Sequence, residues 1–114
     1  MPHPFPKTRR LLTPRAFSFV FQQAKKASSD GFVILFRRNP LGDTRLGFAV
    51  AKKKVAKAHD RNRIKRVFRE SFRLQADLPP VDIVVTARHG AHKLDHQALH
   101  AQTLALWKKC RDRA

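Results

Sequence analysis

Apolar positions fall in two different rhythms along this chain, and the change of rhythm marks the elements. In RAFSFVFQQAKKA, Phe17, Val20, Phe21 and Ala24 recur at helical spacing, so a helix is expected from about 14 to 25. Thr13-Pro14 offers an N-cap followed by proline at the first helical position. Phe19 is placed off the apolar face of that helix. GFVILFRR (31–38) is a dense apolar run rich in β-branched and aromatic residues and reads as a strand, with a further short strand expected near 26–30. NPLGDT (39–44) has turn composition. RLGFAVA (45–51) switches to period two: Leu46, Phe48 and Val50 on one face, Gly47, Ala49 and Ala51 on the other. The small face predicts room for something to lie close to the sheet.

A basic connector, KKKVAKAH (52–59), leads to Asp60, which is expected to cap a helix running to about Gln75 and stopped by LPP (78–80). On that helix Ile64, Val67, Phe68, Phe72 and Leu74 share one side, with Ser71 and Gln75 between them. VDIVVTAR (81–88) is a third clear strand, and after RHGAHK Asp95 caps a last helix over 96–111. Its buried stripe is predicted to be Leu99, Thr103, Leu106, Trp107 and Cys110. The order α-β-β(-β)-α-β-α describes an α+β sandwich. The predicted organisation is one domain over 13–114, preceded by a flexible arm over 1–12 in which Pro2, Pro4 and Pro6 oppose regular structure.

Charge changes the picture most. The 114 residues carry a formal charge of +17. A surplus of this size repels itself in the free protein and calls for an anionic partner, nucleic acid before an acidic membrane surface. It is concentrated: from Lys52 to Arg73, ten Lys or Arg stand against Asp60 and Glu70. On the second helix-forming stretch's outer face Asn62, Lys65, Arg66, Arg69 and Arg73 gather, with Arg61 and Arg63 toward the flanks. Solvated helix faces usually mix signs, whereas this one is nearly all cationic. Guanidinium forks match phosphates, and Asn offers both a donor and an acceptor to a sugar or base edge.

Catalytic constellations are missing by comparison. The eight acidic residues are scattered, with no cluster suited to Mg²⁺. HQALH (96–100) has the histidine spacing of a zinc peptidase but Gln97 where the general base is required. His89 and His92 fit a polar loop, and Cys110 fits a core position. A single cysteine allows no intrachain disulfide, the N-terminus lacks the apolar stretch of a signal peptide, and FVILF is too short to cross a bilayer, so a cytoplasmic protein is expected. Nine Phe and no Tyr, beside a basic groove, suit the holding of a single strand.

The segment RLGFAVAKKKVAKAHDRNRIKRVFRESFR (45–73) resembles the signature of the bacterial ribonuclease P protein subunit, and LLTPRAFSFVFQQ, DIVVTARHG and the C-terminal LW followed by Lys and Arg agree with it. The resemblance implies a fold of the ribosomal protein S5 domain 2-like type with a left-handed β-α-β crossover, against the general handedness rule. It also implies a function: support for endonucleolytic removal of the 5′ leader from precursor tRNA, with Mg²⁺ held by the RNA subunit and substrate rather than by this chain. By that resemblance Arg61, Asn62, Arg63, Lys65, Arg66, Arg69 and Arg73 contact the RNA subunit. Phe17, Phe21, Val33, Leu35, Ala49 and Ala51 line a cleft for the leader, bordered by Lys52 and Lys53. Some members carry an aromatic residue in place of Leu35, serines in place of Ala49 and Ala51, and a glycine in the Lys54-Val55 region, so this cleft should lean on shape and charge more than on stacking. The competing class is a ribosomal or ribosome-assembly protein that binds rRNA with no enzyme attached. A DNA regulator is disfavoured because neither helix-turn-helix spacing nor a dimerising segment is visible.

Overall fold

A computed structural model describes residues 9–114. Seven elements follow one another: α1 (Pro14–Gln22), β1 (Lys25–Ser28), β2 (Phe32–Arg38), β3 (Arg45–Phe48), α2 (Ala58–Arg73), β4 (Val81–Ala87) and α3 (His96–Arg113), with a 3-10 turn at Ala91–Lys93. The strands form one sheet in the order β1-β2-β4-β3. β1 and β4 run antiparallel to β2, while β3 and β4 are parallel and joined through α2. No helix is long and apolar enough to cross a membrane among these residues.

Register decides which side chains meet. Ile34 pairs with Val85, Phe36 and Leu46 with Ile83, and Phe48 with Val85. Paired residues project to the same face, so this set turns together toward α2 and α3. There it meets Ile64, Phe68 and Phe72 from α2 and Leu99, Leu106 and Trp107 from α3. The centre of this core is aromatic: Phe68 takes Phe32 edge-on at 4.9 Å and Trp107 at 5.9 Å, offset geometries that ring quadrupoles favour. All five residues of the expected α3 stripe are buried.

Of the helices, α1 alone lies on the opposite face among the described residues. Leu35 and Gly47 both pair with Val84, and Val33 pairs with Thr86. Val20 of α1 is completely buried against this face together with Val84 and Leu11. The result is the expected α-β sandwich, with two helices on one side and one short helix on the other.

The caps show why the helices start where they do. Thr13 accepts from the Ala16 amide at 3.1 Å, with Pro14 at the first helical position, and Asp95 accepts from the Ala98 amide at 2.8 Å. Asp60 does not cap α2. That helix begins earlier, at Ala58, with Lys57 at the N-cap and the Arg61 amide bonded to the Lys57 carbonyl. Asp60 lies instead in the first turn, where its charge complements the helix dipole.

Several expected boundaries move for local reasons. α1 stops at Gln22 because Lys25 and Lys26 are already pairing in β1. β3 stops at Phe48, and Ala51 falls in the following turn, its carbonyl accepting from the amides of Lys54 and Val55. Leu74 is not part of the buried side of α2: it sits at the C-cap and is 58% exposed, and Ser71 takes the inward position. The predicted arm of residues 1–12 lies outside the described residues up to position 8. From Arg9 onward the chain does not behave as an arm, because Leu11 is only 4% exposed and its amide donates to the Leu46 carbonyl at 3.0 Å. Arg10 bridges to Leu46 in parallel, along the outer edge of β3.

Candidate nucleic-acid interface

Two surfaces meet at the edge of the sheet, and each is built by a different physical device. The first is the outward side of α2. Burial of Ile64, Val67, Phe68, Ser71 and Phe72 fixes the helix's rotation, so the remaining positions must face solvent. The sequence-predicted cations on it divide into two groups. Arg61 donates through Nη1 to the carbonyls of Val55 (3.0 Å) and Ala56 (2.8 Å), and Arg63 through Nη2 to those of His92 (3.2 Å) and Leu94 (2.7 Å). These two tie the loops before α2 and α3 to the helix while keeping other guanidinium nitrogens available. Arg73 pairs with Glu70. By contrast Asn62, Lys65 and Arg66 make no hydrogen bond or ion pair with the described residues.

Arg69 stands between these groups. Its guanidinium lies 5.3 Å from the Phe48 ring centroid, a cation-π contact. Burial, and then the nearby charge of Arg10, lower its pKa from the ordinary arginine value, although arginine remains charged at neutral pH. Arg10, Lys65 and Arg69 line one small pocket of about 170 Å³ beside Phe17, Gly47 and Phe48. The basic helix therefore adjoins the apolar wall of α1 directly.

The second surface is the half-covered face of the sheet. α1 has nine residues and is too short to cover it. Beyond its anchor at Val20, Val33, Leu35, Thr86 and Ala49 are only partly buried. Phe17 and Phe21 form the wall, with ring centroids 6.4 Å apart, and Phe21 is 51% exposed. Lys52 and Lys53 are exposed in the turn that follows β3, beside exposed Ala51. The predicted cleft residues are thus brought to one side of the molecule, with two differences.

At Gly47 the space is already occupied. A Cβ there would lie 2.7 Å from Leu11 Cβ and 2.9 Å from Phe17 Cζ, so the small residue admits the chain's own side chains and not a ligand. The open part of the face lies farther along, at Val33, Leu35 and Ala49. Phe19, expected to point away, is half-buried: Arg37 stacks on its ring at 3.8 Å from the centroid and donates to its carbonyl at 2.6 Å.

Sequence reasoning missed Lys26, Ser28 and Thr86. Register puts Lys26 opposite Leu35 and Ser28 and Thr86 opposite Val33, on the cleft face. The period-two rule applied to β1 and β4 could have found them once a pairing register was known.

Most of the acidic residues are engaged elsewhere. Asp82 is buried and takes a two-pronged grip from Arg45, at 2.8 and 2.6 Å, plus a bond from Asn39 at 2.8 Å. That contact raises the Arg45 pKa. Asp43 pairs with Arg9, Asp60 with His59 and Asp77 with Arg111, while Asp95 caps α3. Among the described residues no three His, Cys, Asp or Glu converge as a metal site would require.

The chain is similar to known proteins over nearly its whole length. A family model described as Ribonuclease P matches residues 5–111. The ribonuclease P protein component of Photorhabdus laumondii is 53% identical over 109 residues, 94% of this chain and 92% of that protein. That of Legionella pneumophila is 50% identical over 105 residues, covering 92% and 91%. The structure of the Staphylococcus aureus RNase P protein superposes with a TM-score of 0.83 at 27% identity, covering 90% of this chain and 95% of that one. The Thermotoga maritima RNase P protein gives 0.77 at 34% identity, covering 88% and 96%.

Proposed function

The chain belongs to the ribonuclease P protein family, and on that premise we propose how its surfaces divide the work of the ribonucleoprotein. As a protein component of ribonuclease P it takes part in tRNA processing and partners the enzyme's RNA subunit. The α2 face binds that RNA subunit, through Asn62, Lys65, Arg66 and Arg69 first and through Arg61, Arg63 and Arg73 with their remaining donors. The half-covered sheet face receives the single-stranded 5′ leader of precursor tRNA, with Phe17 and Phe21 as its wall and Lys52 and Lys53 at its border.

One observation carries this reading: the side chains of Asn62, Lys65 and Arg66 are presented together on one helix with no hydrogen-bond or ion-pair partner among the described residues. Such a face is costly to assemble in isolation and matches a phosphate backbone. Phe21, more than half exposed on α1, suits a base that needs stacking without sequence readout. Bond cleavage belongs to the RNA subunit and the Mg²⁺ that it and the substrate hold; the carboxylates among the described residues do not converge, and most of them serve ion pairs and a helix cap. The protein contributes cations that replace screening counterions between two polyanions. The rRNA-binding alternative is set aside, since curated relatives at half identity are ribonuclease P proteins.

The test is cleavage of precursor tRNA. Nuclease-free protein alone should leave the precursor intact at every Mg²⁺ concentration, and added to its RNA subunit it should lower the Mg²⁺ needed for leader removal. Specific 5′ cleavage by protein alone would overturn this division of labour.

A further inference from the structure

A second groove lies on the far flank of α2, where that helix packs on α3. Arg63, Arg66, Val67 and Glu70, spaced three and four apart, line its α2 wall, and His96 and His100 line the other, around a cleft of about 460 Å³. The two imidazoles stand one turn apart with parallel rings, 9° between planes and 6.4 Å between centroids. Neither ring forms a hydrogen bond with the described residues, and Arg66 opposite them is exposed.

We propose that this groove is a further phosphodiester-binding site for the RNA subunit, and that its grip tightens when His96 and His100 take up protons. The inference rests on the RNA-binding function proposed above. The charged groups facing the imidazoles are Arg63, Arg66 and Glu70 from α2, with Asp95 at the start of their own helix. Glu70 is paired with Arg73, and Asp95 is engaged as the α3 cap. Both carboxylates are therefore committed, and the groove sets the guanidinium groups of Arg63 and Arg66 on one wall against two imidazoles on the other. A phosphodiester lying between the helices supplies the negative charge that this surrounding lacks. Arg66 can meet it with a guanidinium fork, and an imidazolium can meet it with a charge-assisted hydrogen bond. Protonation and phosphate binding then favour one another, and histidine gains its charge in the range through which cellular pH varies.

The experiment compares binding of the cognate RNA subunit to the full chain and to the double variant H96Q/H100Q, at pH 6 and pH 8, with salt and Mg²⁺ fixed. Glutamine keeps helical preference and polarity at both positions, and matching melting curves verify the fold. The parent protein should bind about fivefold or more tightly at pH 6 than at pH 8. Calorimetry at pH 7 in two buffers of different ionisation heat should show proton uptake on binding. H96Q/H100Q should lose most of both effects, whereas His3, His59, His89 and His92 remain in both proteins and cancel in the comparison. Equal pH responses and equal proton uptake in the two proteins would overturn the proposed site while leaving RNA binding by α2 intact. Failure of the parent protein to bind the RNA subunit at either pH would instead overturn the functional reading beneath it.

Discussion

Trp107 donates its indole N–H to Ser71 Oγ at 2.8 Å across the interface between α3 and α2, in the centre of an aromatic core. Ser71 Oγ also shares a hydrogen with Thr103 Oγ1 at 2.8 Å, and Thr103 lies 2.7 Å from the His100 carbonyl. One hydroxyl therefore satisfies the indole and links α2 to α3. Ser71→Ala leaves the buried indole N–H without a partner, which costs about 1–3 kcal/mol. Thermal melts should show a lower midpoint, with tryptophan emission altered in the folded protein.

The two kinds of arginine on α2 should separate in one experiment. Arg63→Ala removes a guanidinium that holds two carbonyls, so it should lower stability by about 1–3 kcal/mol as well as weaken RNA binding. Arg66 makes no side-chain hydrogen bond or ion pair with the described residues, so Arg66→Ala should alter stability by less than about 0.5 kcal/mol. In both variants the salt dependence of RNA-subunit binding should become shallower, by roughly 0.7 to 0.9 for each lost phosphate contact. Melting curves beside salt titrations check both halves.

Phe17 and Phe21 share a helix face but should behave differently. Phe17 packs against Leu11 over Gly47, so Phe17→Ala should cost about 1–3 kcal/mol of stability, less than a fully buried ring. Phe21 is the exposed ring, and Phe21→Ala should cost little stability. It should weaken binding of precursor tRNA by about 1–3 kcal/mol if one base stacks there, with mature tRNA bound as before. Equal loss for both tRNA forms would remove Phe21 from the leader site.

Burial pushes the Cys110 thiol up to about 11, against a smaller opposite pull from Arg111. An unfolded thiol ionises near 8.5, so above that pH the unfolded chain releases a proton that the folded chain keeps. Stability from this group is therefore complete below about pH 8 and falls as pH rises toward 11. Between pH 8 and pH 10 the parent protein should lose about 1–2 kcal/mol more than Cys110→Ala does, measured by urea unfolding. Native Cys110 should also resist iodoacetamide at pH 8 and react once urea unfolds the chain.

Elements with a strong period were legible in the sequence, and those decided by distant partners were not. The α3 stripe from Leu99 to Cys110 and the alternation of Leu46, Phe48 and Val50 with Gly47 and Ala49 follow from spacing alone, whereas the turn that takes Ala51 out of that pattern does not. Leu74 was misplaced because the wheel assumes the helix continues, whereas the chain leaves the helix there. The Gly47 face was read as vacant because nothing local reveals that Leu11, far back in sequence, returns to fill it. The α2 cations were all visible, yet their division was not. Whether Arg63 meets a phosphate or the His92 carbonyl depends on how the loop before α3 is folded, a long-range fact.

The sheet order carries a consequence for how the protein is made. β3 lies at one edge and its strand partner is β4, which follows it only after the whole of α2. While the ribosome is still emitting residues before Val81, β3 has no neighbouring strand, and α2 has neither β4 nor α3 to pack on. Its cations are then strung along an undocked segment close to the most abundant RNA in the cell. A specific grip on one RNA thus becomes available only once β4 and α3 have both followed α2 out, and α3, added after β4, is what completes it.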